Sequence, residues 1–298
     1  MNNFYCLLEE DGLIKVSGID AIKFLQGQIT TNIEEVNENQ SQLSACCTNQ
    51  GRVISIFRMF KFKEDFILKL PLALLEPLLT HLKKFAIFSK VKLENYSEKF
   101  KIIGLRSEKP LELFSTPRLE VDAVFTSSLL VVRVPDGLYR YELFIPPEAL
   151  ATVLVELNSH YSQITINFWQ LTEIKQGIPR IFPQTLAVFT PHDLNLPQLN
   201  AVSFTKGCYQ GQEIIARMHY RGKLKQHLYA AMVNERTFFI PGEKIFFNNQ
   251  IVGYIVQSCL ETYHQTALLV SMKEEVISLH EFMIANQQIK LNFLELKS

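Results

Sequence analysis

The chain has 298 residues, 47% of them apolar, and its 30 cations balance 30 anions to a formal net charge of zero. That length and apolar content can bury a sizeable core without disulfides or metal. The charge balance excludes a protein whose main task is to coat nucleic acid or an anionic membrane. The five cysteines are odd in number and irregularly spaced, with no leader segment before them, so reduced thiols in the cytoplasm are expected. No CxxC, HxH or HExxH pattern occurs, and no metal site is expected. The most apolar stretch, 66–82, contains Lys69, Pro71, Glu76 and Pro77, which excludes a membrane-spanning helix there.

Residues 3–8 and 12–17 read as strands. Ser17 and Asp20 fit a Ser-x-x-Asp capping box opening a helix with Ile19, Ile22 and Leu25 inward. Residues 41–48 and 53–62 flank Asn49-Gln50-Gly51, a hairpin pattern, and 65–70 adds a strand. Leu72, Leu75, Leu78, Leu79, Leu82 and Phe85 fall at helical spacing and predict an amphipathic helix over 71–88. Strands are expected at 91–96, 100–106, 129–134 and 139–145, then helices at about 146–158 and 165–176. The mixture lacks a strict βαβ repeat, which makes the fold class α+β. Residues 177–205 carry Pro179, Pro183, Pro191 and Pro197 and no period. Phe182, Phe189, Leu194, Leu196 and Phe204 nevertheless imply an ordered loop packed on something. After Gly222, short strands at about 225–233, 243–248, 251–259, 266–272, 281–285 and 288–295, with turns at 248–250 and 286–288, predict a β-barrel. The expected domains are therefore 1–222 and 223–298.

Residues 206–213 read Lys-Gly-Cys-Tyr-Gln-Gly-Gln-Glu. Gly207 and Gly211 permit backbone approaches that a Cβ would hinder. Residues 212–218 read as a short helix with Glu213 near its positive end. Cys208 would lie just before or in its first turn, where helix amides and Lys206 both favour the thiolate. Such surroundings take a thiol from about 8.5 to roughly 3.5–7.5. The alternative is a small apolar residue filling a gap, the reading given to Cys6, Cys46, Cys47 and Cys259 in their apolar strands. Arg217, His219, Arg221, Lys223, Lys225 and His227, with Tyr220 among them, form a basic cluster. It suits a phosphate, polyglutamate or RNA contact, or a solvated face. Trp169, the one tryptophan, is core packing or a wall for a flat heterocycle.

At residues 206–213 the sequence resembles the YgfZ-type folate-binding, tRNA-modifying proteins, relatives of the glycine-cleavage T protein. Mitochondrial members of that group help mature iron–sulfur proteins. FLQGQITTN (24–32), LKKFAIFSKV (82–91), QGIP (176–179), FTPHDLNL (189–196), Arg217 and Arg221-Gly222 share the likeness, which covers most of 10–228. The resemblance implies a T-protein-like ring of subdomains around a central folate hole, with two intertwined subdomains in 1–222 and a C-terminal β-barrel. It implies tetrahydrofolate or another reduced folate as cofactor, with Trp169, Gln28, Arg217 and Arg221 binding it. Working roles fall to Cys208 as a reactive thiol and to Lys206. Gly207, Tyr209, Gly211, Gln212 and Glu213 complete the motif. The implied partners are iron–sulfur enzymes or assembly factors, including enzymes that methylthiolate tRNA. Net neutrality gives no support for direct tRNA binding, and no membrane partner is expected. Three positions depart from the family pattern. Lys175 stands where the helix before QGIP carries a glutamate, with Glu173 close by. Asp11-Gly12-Leu13 stands where a second aromatic is found. Gly51-Arg52-Val53-Ile54-Ser55 lacks the carboxylates of true aminomethyltransferases, which argues against an enzyme of that kind. A folate-dependent one-carbon transferase and a folate-independent scaffold are the alternative functions.

Overall fold

The computed structural model describes residues 3–135, 138–222, 224–261, 264–279 and 281–296. In chain order the elements are β1 (Phe4–Leu7), β2 (Asp11–Ser17), α1 (Ala21–Gln28), β3 (Gln42–Cys47), β4 (Val53–Phe62), β5 (Asp65–Pro71), α2 (Leu75–Ala86), β6 (Lys92–Asn95), β7 (Lys101–Ser107), β8 (Val124–Thr126), β9 (Leu130–Val134) and β10 (Tyr139–Ile145). There follow α3 (Leu150–Asn158), β11 (Ser162–Gln163), α4 (Ile166–Lys175), α5 (Gln212–Arg221), β12 (Gln226–Val233), β13 (Lys244–Phe247), β14 (Gln250–Leu260), β15 (Thr266–Lys273), β16 (Glu281–Ile284), β17 (Gln287–Lys290) and β18 (Asn292–Leu294). Strands and helices are intermingled, which is the α+β class expected. The short strands β8 and β11 escaped sequence reading because neither is long enough to show an alternation.

The chain divides into two compact units. Unit 1 comprises Met1–Gln26, Asn32–Leu43 and Phe57–Trp169; unit 2 comprises Gly27–Thr31, Ser44–Ile56 and Gln170–Ser298. Neither is one continuous stretch, because α1, β3, β4 and α4 each run from one unit into the other. Residues 223–298 lie wholly in unit 2.

In unit 1 a six-stranded sheet has the order β11-β1-β7-β10-β9-β8. Its period of two sends alternate residues to opposite faces. Phe4, Cys6, Ile102, Val132 and Phe144 build one core with Trp169. Tyr5, Leu105, Val131, Tyr141 and Leu143 build the other, against Val153 and Leu157 of α3. Register aligns Cys6, Gly104, Glu142 and Val132 across the first face. A five-stranded sheet of order β3-β4-β5-β2-β6 is mostly antiparallel pairing in unit 1. Leu75, Leu78, Leu79 and Leu82 of α2 are buried as expected, whereas Leu72 and Phe85 are exposed. A tight turn over Leu72–Leu74 puts Leu72 out of phase with the helix.

The first helix differs more. Its buried residues are Ala21, Phe24 and Leu25, while Ile19 is 86% exposed and Ile22 53%. The reason lies in its start. Gly18 (φ +112) passes under the Lys90 carbonyl, where a Cβ would come within 2.2 Å of the oxygen. The Asp20 carboxylate then accepts from the Lys90 N–H at 2.7 Å instead of closing a capping box. The helix begins at Ala21, and that phase turns positions 19 and 22 outward.

In unit 2 a seven-stranded sheet has the order β17-β16-β13-β14-β15-β12-β18. Ala231, Ile245, Ile255, Leu268 and Val270 fill its core. The two edge strands, β17 and β18, are separated in sequence by Leu291 alone. Laid flat, seven strands would hold their edges roughly 29 Å apart. Residues 290 and 292 can be at most about 7 Å apart. The sheet therefore curls until its edges meet at that corner, yet no ladder joins β17 to β18 among the described residues. The expected barrel is a curled, open sheet. Its hairpin turns lie at Asn248-Asn249 and Ala285-Asn286, all at positive φ as primed turns require. The second thus falls one residue earlier than the sequence suggested.

Candidate functional site

The cysteine loop is shaped by one glycine more than the other. Gly211 caps α5 at φ +81. A Cβ there would lie 2.5 Å from the Thr48 carbonyl oxygen and 3.0 Å from the Cα of Gly51. Gly51, at φ +71, in turn faces Ile214 and Ile215 of α5. The hairpin turn and the cysteine motif, far apart in sequence, thus meet through two glycines. Gly207 is different: a Cβ on it would meet nothing within 4 Å.

Residues 27–31 hold the other side of the loop. The Gln210 N–H donates to the Gly27 carbonyl at 3.1 Å. The Lys206 ammonium donates to the carbonyls of Ile29 at 2.9 Å and Thr31 at 2.8 Å. The Thr30 hydroxyl donates to the Ala201 carbonyl at 2.6 Å, and the Ser203 N–H to the Thr30 carbonyl at 2.8 Å. The proline-rich loop is ordered as expected, with Phe189, Leu194 and Leu196 buried and Val53 and Phe189 joined by a backbone hydrogen bond.

Cys208 is exposed, whereas Cys6, Cys46, Cys47 and Cys259 are buried. It precedes α5 rather than sitting in its first turn, because Tyr209–Gln212 make a turn of their own before the helix begins. Burial lowers the Lys206 amine to about 8. A neutral amine still has two N–H groups, enough to serve both carbonyls. Its nitrogen also lies 5.0 Å over the Tyr209 ring. Tyr209 is buried, its hydroxyl has no hydrogen-bond partner among the described residues, and burial with the neighbouring Cys47 raises its phenol. Burial pushes the Cys46 thiol up to about 12, and burial, with Cys46 beside it, also raises the Cys47 thiol well above its ordinary value. Gln212 and Glu213 open α5, and Glu213 is exposed at the helix end that favours a carboxylate.

Trp169, on α4, is fully buried in the unit 1 core. Gly104 lies against its six-membered ring, where a Cβ would come within 2.5 Å, and the Arg140 guanidinium sits 3.6 Å from the ring centroid. The indole Nε1–H has no partner among the described residues, and neither has the Gln28 Oε1. Lys175 pairs with Glu261, and Glu173 pairs with Arg180 at 3.5 Å.

Arg217 and Arg221 are exposed on α5; Lys223 lies outside the described residues. Beside them is a cluster that sequence reasoning missed. The rings of Phe204 and His219 stack at 3.7 Å and 14°, with Tyr220 edge-on to both. His192 adjoins them, with its ring 6.2 Å from Phe204 and 6.0 Å from His219. It is 3% exposed, and neither ring nitrogen has a partner among the described residues. Burial, then His219 and His227, lower its imidazole to about 4. Phe204 and His192 lie in an aperiodic loop, so no spacing pointed to their contact with α5. No group of three His, Cys, Asp or Glu suited to a metal occurs among the described residues, and none of their helices is long and apolar enough to cross a membrane.

The fold is T-protein-like. It matches the glycine cleavage system aminomethyltransferase T of Bartonella henselae with a TM-score of 0.79, over 99% of this chain and 86% of that one, at 14% identity. No family model matches. Among curated proteins, it is 35% identical over 228 residues to the tRNA-modifying protein YgfZ of Colwellia psychrerythraea, covering 74% of this chain and 69% of that protein. It is 30% identical over 289 residues to the YgfZ of Photobacterium profundum, covering 94% and 86%. The chain belongs to the YgfZ family.

Proposed function

We propose that this chain is a cytoplasmic accessory protein for tRNA modification, supporting iron–sulfur enzymes through the Cys208 thiol and taking a reduced folate as ligand. One observation carries the reading: of five cysteines, Cys208 is the one exposed, on a loop braced on both sides. The relatives named for tRNA modification support the setting. An accessible thiol can lose its proton and attack a disulfide or persulfide sulfur, whose other sulfur leaves as a thiolate. Exchange of that kind passes sulfur or disulfide to or from an iron–sulfur enzyme or assembly factor. Lys206 holds the loop in place by donating to residues 29 and 31.

For the folate, two of the residues expected to hold it carry unused hydrogen-bonding capacity. The Trp169 Nε1–H can donate and the Gln28 Oε1 can accept. A pterin that stacks on Trp169 must first displace the Arg140 guanidinium. Arg217 and Arg221 supply positive charge on α5. When bound, a reduced folate carries one-carbon units. In this reading residues 1–222 form the folate-binding region and 223–298 a C-terminal domain.

Titration with tetrahydrofolate, read by tryptophan fluorescence, tests the ligand, since Trp169 is the only source of that signal. A saturable change is expected, and weaker binding by about 1–3 kcal/mol in Trp169→Phe or Trp169→Ala, measured by calorimetry. No binding to the wild type favours the folate-independent scaffold.

A further inference from the structure

Nothing in the net charge points to nucleic acid, but the distribution of charge and rings around α5 does. Arg217, Tyr220 and Arg221 occupy neighbouring positions on the outward side of this helix, since residues three and four apart lie together. Both arginines pair with no carboxylate among the described residues. Tyr220 is 68% exposed. Behind it the His219–Phe204 stack forms a second aromatic layer, and His192 lies buried against that stack with both ring nitrogens unused.

Each component has its own explanation as packing; together they have the composition of a single-strand reader. Guanidinium groups contact phosphate, exposed rings stack on bases, and a buried polar group without a partner can bond a base edge. A duplex would leave the rings unused, because its bases are already stacked. A polyglutamate tail would use the arginines but has no aromatic face to offer Tyr220.

We propose that the outer face of α5, formed by Tyr220, the His219–Phe204 stack, Arg217 and Arg221, docks an unpaired stretch of RNA. The arginines hold phosphates and Tyr220 stacks on a base. This rests on the reading that the chain serves tRNA modification and names the partner that its basic face receives. Cys208 lies at the opposite end of α5 from Tyr220, so one helix links the thiol loop to the RNA contact.

The test is fluorescence anisotropy of the full-length protein with two labelled RNAs of equal length. One is an unmodified stem-loop with a seven-nucleotide loop; the other is a fully paired duplex. The stem-loop should bind about tenfold more tightly. Tyr220→Ala should lose about tenfold in stem-loop affinity, and Tyr220→Phe should retain it. Arg217→Gln and Arg221→Gln should each reduce the slope of log affinity against log salt by about one. Lys83→Gln/Lys84→Gln on α2, which removes the same kind of charge elsewhere, should change nothing. The proposal is overturned if the stem-loop fails to bind, if the duplex binds equally well, or if Tyr220→Ala matches the wild type. Displacement of the stem-loop by hexaglutamate at equal charge concentration would also overturn it and assign the face to a polyglutamate. None of these outcomes touches the Cys208 or folate tests, so failure here is distinguishable from failure of the function above.

Discussion

A buried ion cluster in one unit and two buried neutral groups in the other are built on opposite terms. In unit 1, Lys69 lies between Asp11 at 3.0 Å and Glu142 at 2.5 Å, with all three side chains almost inaccessible. In unit 2, His192 and the Tyr209 hydroxyl are comparably buried and have no hydrogen-bond partner among the described residues. The difference follows from charge. An ion cannot be buried alone, because its desolvation costs several kcal/mol that only a close counter-ion offsets. A neutral imidazole or phenol can be buried at a lesser cost, and it keeps its bonding capacity. The ion cluster is therefore architecture. The His192 nitrogens and the Tyr209 hydroxyl keep unused bonding capacity, and Tyr209 belongs to the loop that carries the exposed thiol.

The largest expected effect breaks the ion cluster. Lys69→Met leaves Asp11 and Glu142 facing each other without their shared cation. It should cost about 3–5 kcal/mol in urea unfolding while Cys208 stays as reactive to iodoacetamide as in the wild type. A cost below about 1 kcal/mol would show that the carboxylates find other compensation.

Gly211→Ala comes next. It forces a Cβ onto the Thr48 carbonyl and strains a left-handed residue, so about 3 kcal/mol should be lost, and Cys208 alkylation should change as the loop shifts.

The buried imidazole is probed by acid. His192 titrates near 4 in the folded chain and near its ordinary 6.5 when unfolded. Between those values the unfolded chain binds the extra proton, so this contribution is complete above pH 6.5 and is lost as pH falls towards 4. The loss is at most about 3 kcal/mol. His192→Gln should lose correspondingly less stability than the wild type between pH 7 and pH 4. Equal losses would show that the imidazole is solvated.

The smallest effect sharpens the contrast between the two motif glycines. Gly207→Ala meets open space and should cost less than about 1 kcal/mol by the same unfolding assay.

Much of this was legible in the chain. The Asn49-Gln50-Gly51 turn, the leucine stripe of α2 and the buried state of four cysteines followed from local pattern. The octapeptide and the landmarks around it carried the family. Local pattern could not show that Gly51 and Gly211 touch, because that contact is set by tertiary packing. Nor could it show the phase of α1, which is fixed by Lys90 far along the chain. The barrel was legible from strand count and turn spacing, which do not say whether its two edges are joined by a ladder. That Phe204 and His192 meet His219 was invisible for another reason: an aperiodic loop implies packing but carries no record of what it packs against.

Cys208 carries the proposed function. The direct measurement is the methylthiolated fraction of total tRNA, by nucleoside mass spectrometry, in cells lacking the chromosomal gene and supplied with the wild type or Cys208→Ser. Cys259→Ser, which alters a buried thiol, serves as control. Cys208→Ser should fold, since its side chain is exposed, yet leave the methylthiolated fraction as low as in cells with no copy. Cys259→Ser should restore it wherever soluble protein accumulates. Full restoration by Cys208→Ser would contradict the account and return this cysteine to a purely structural place in the loop.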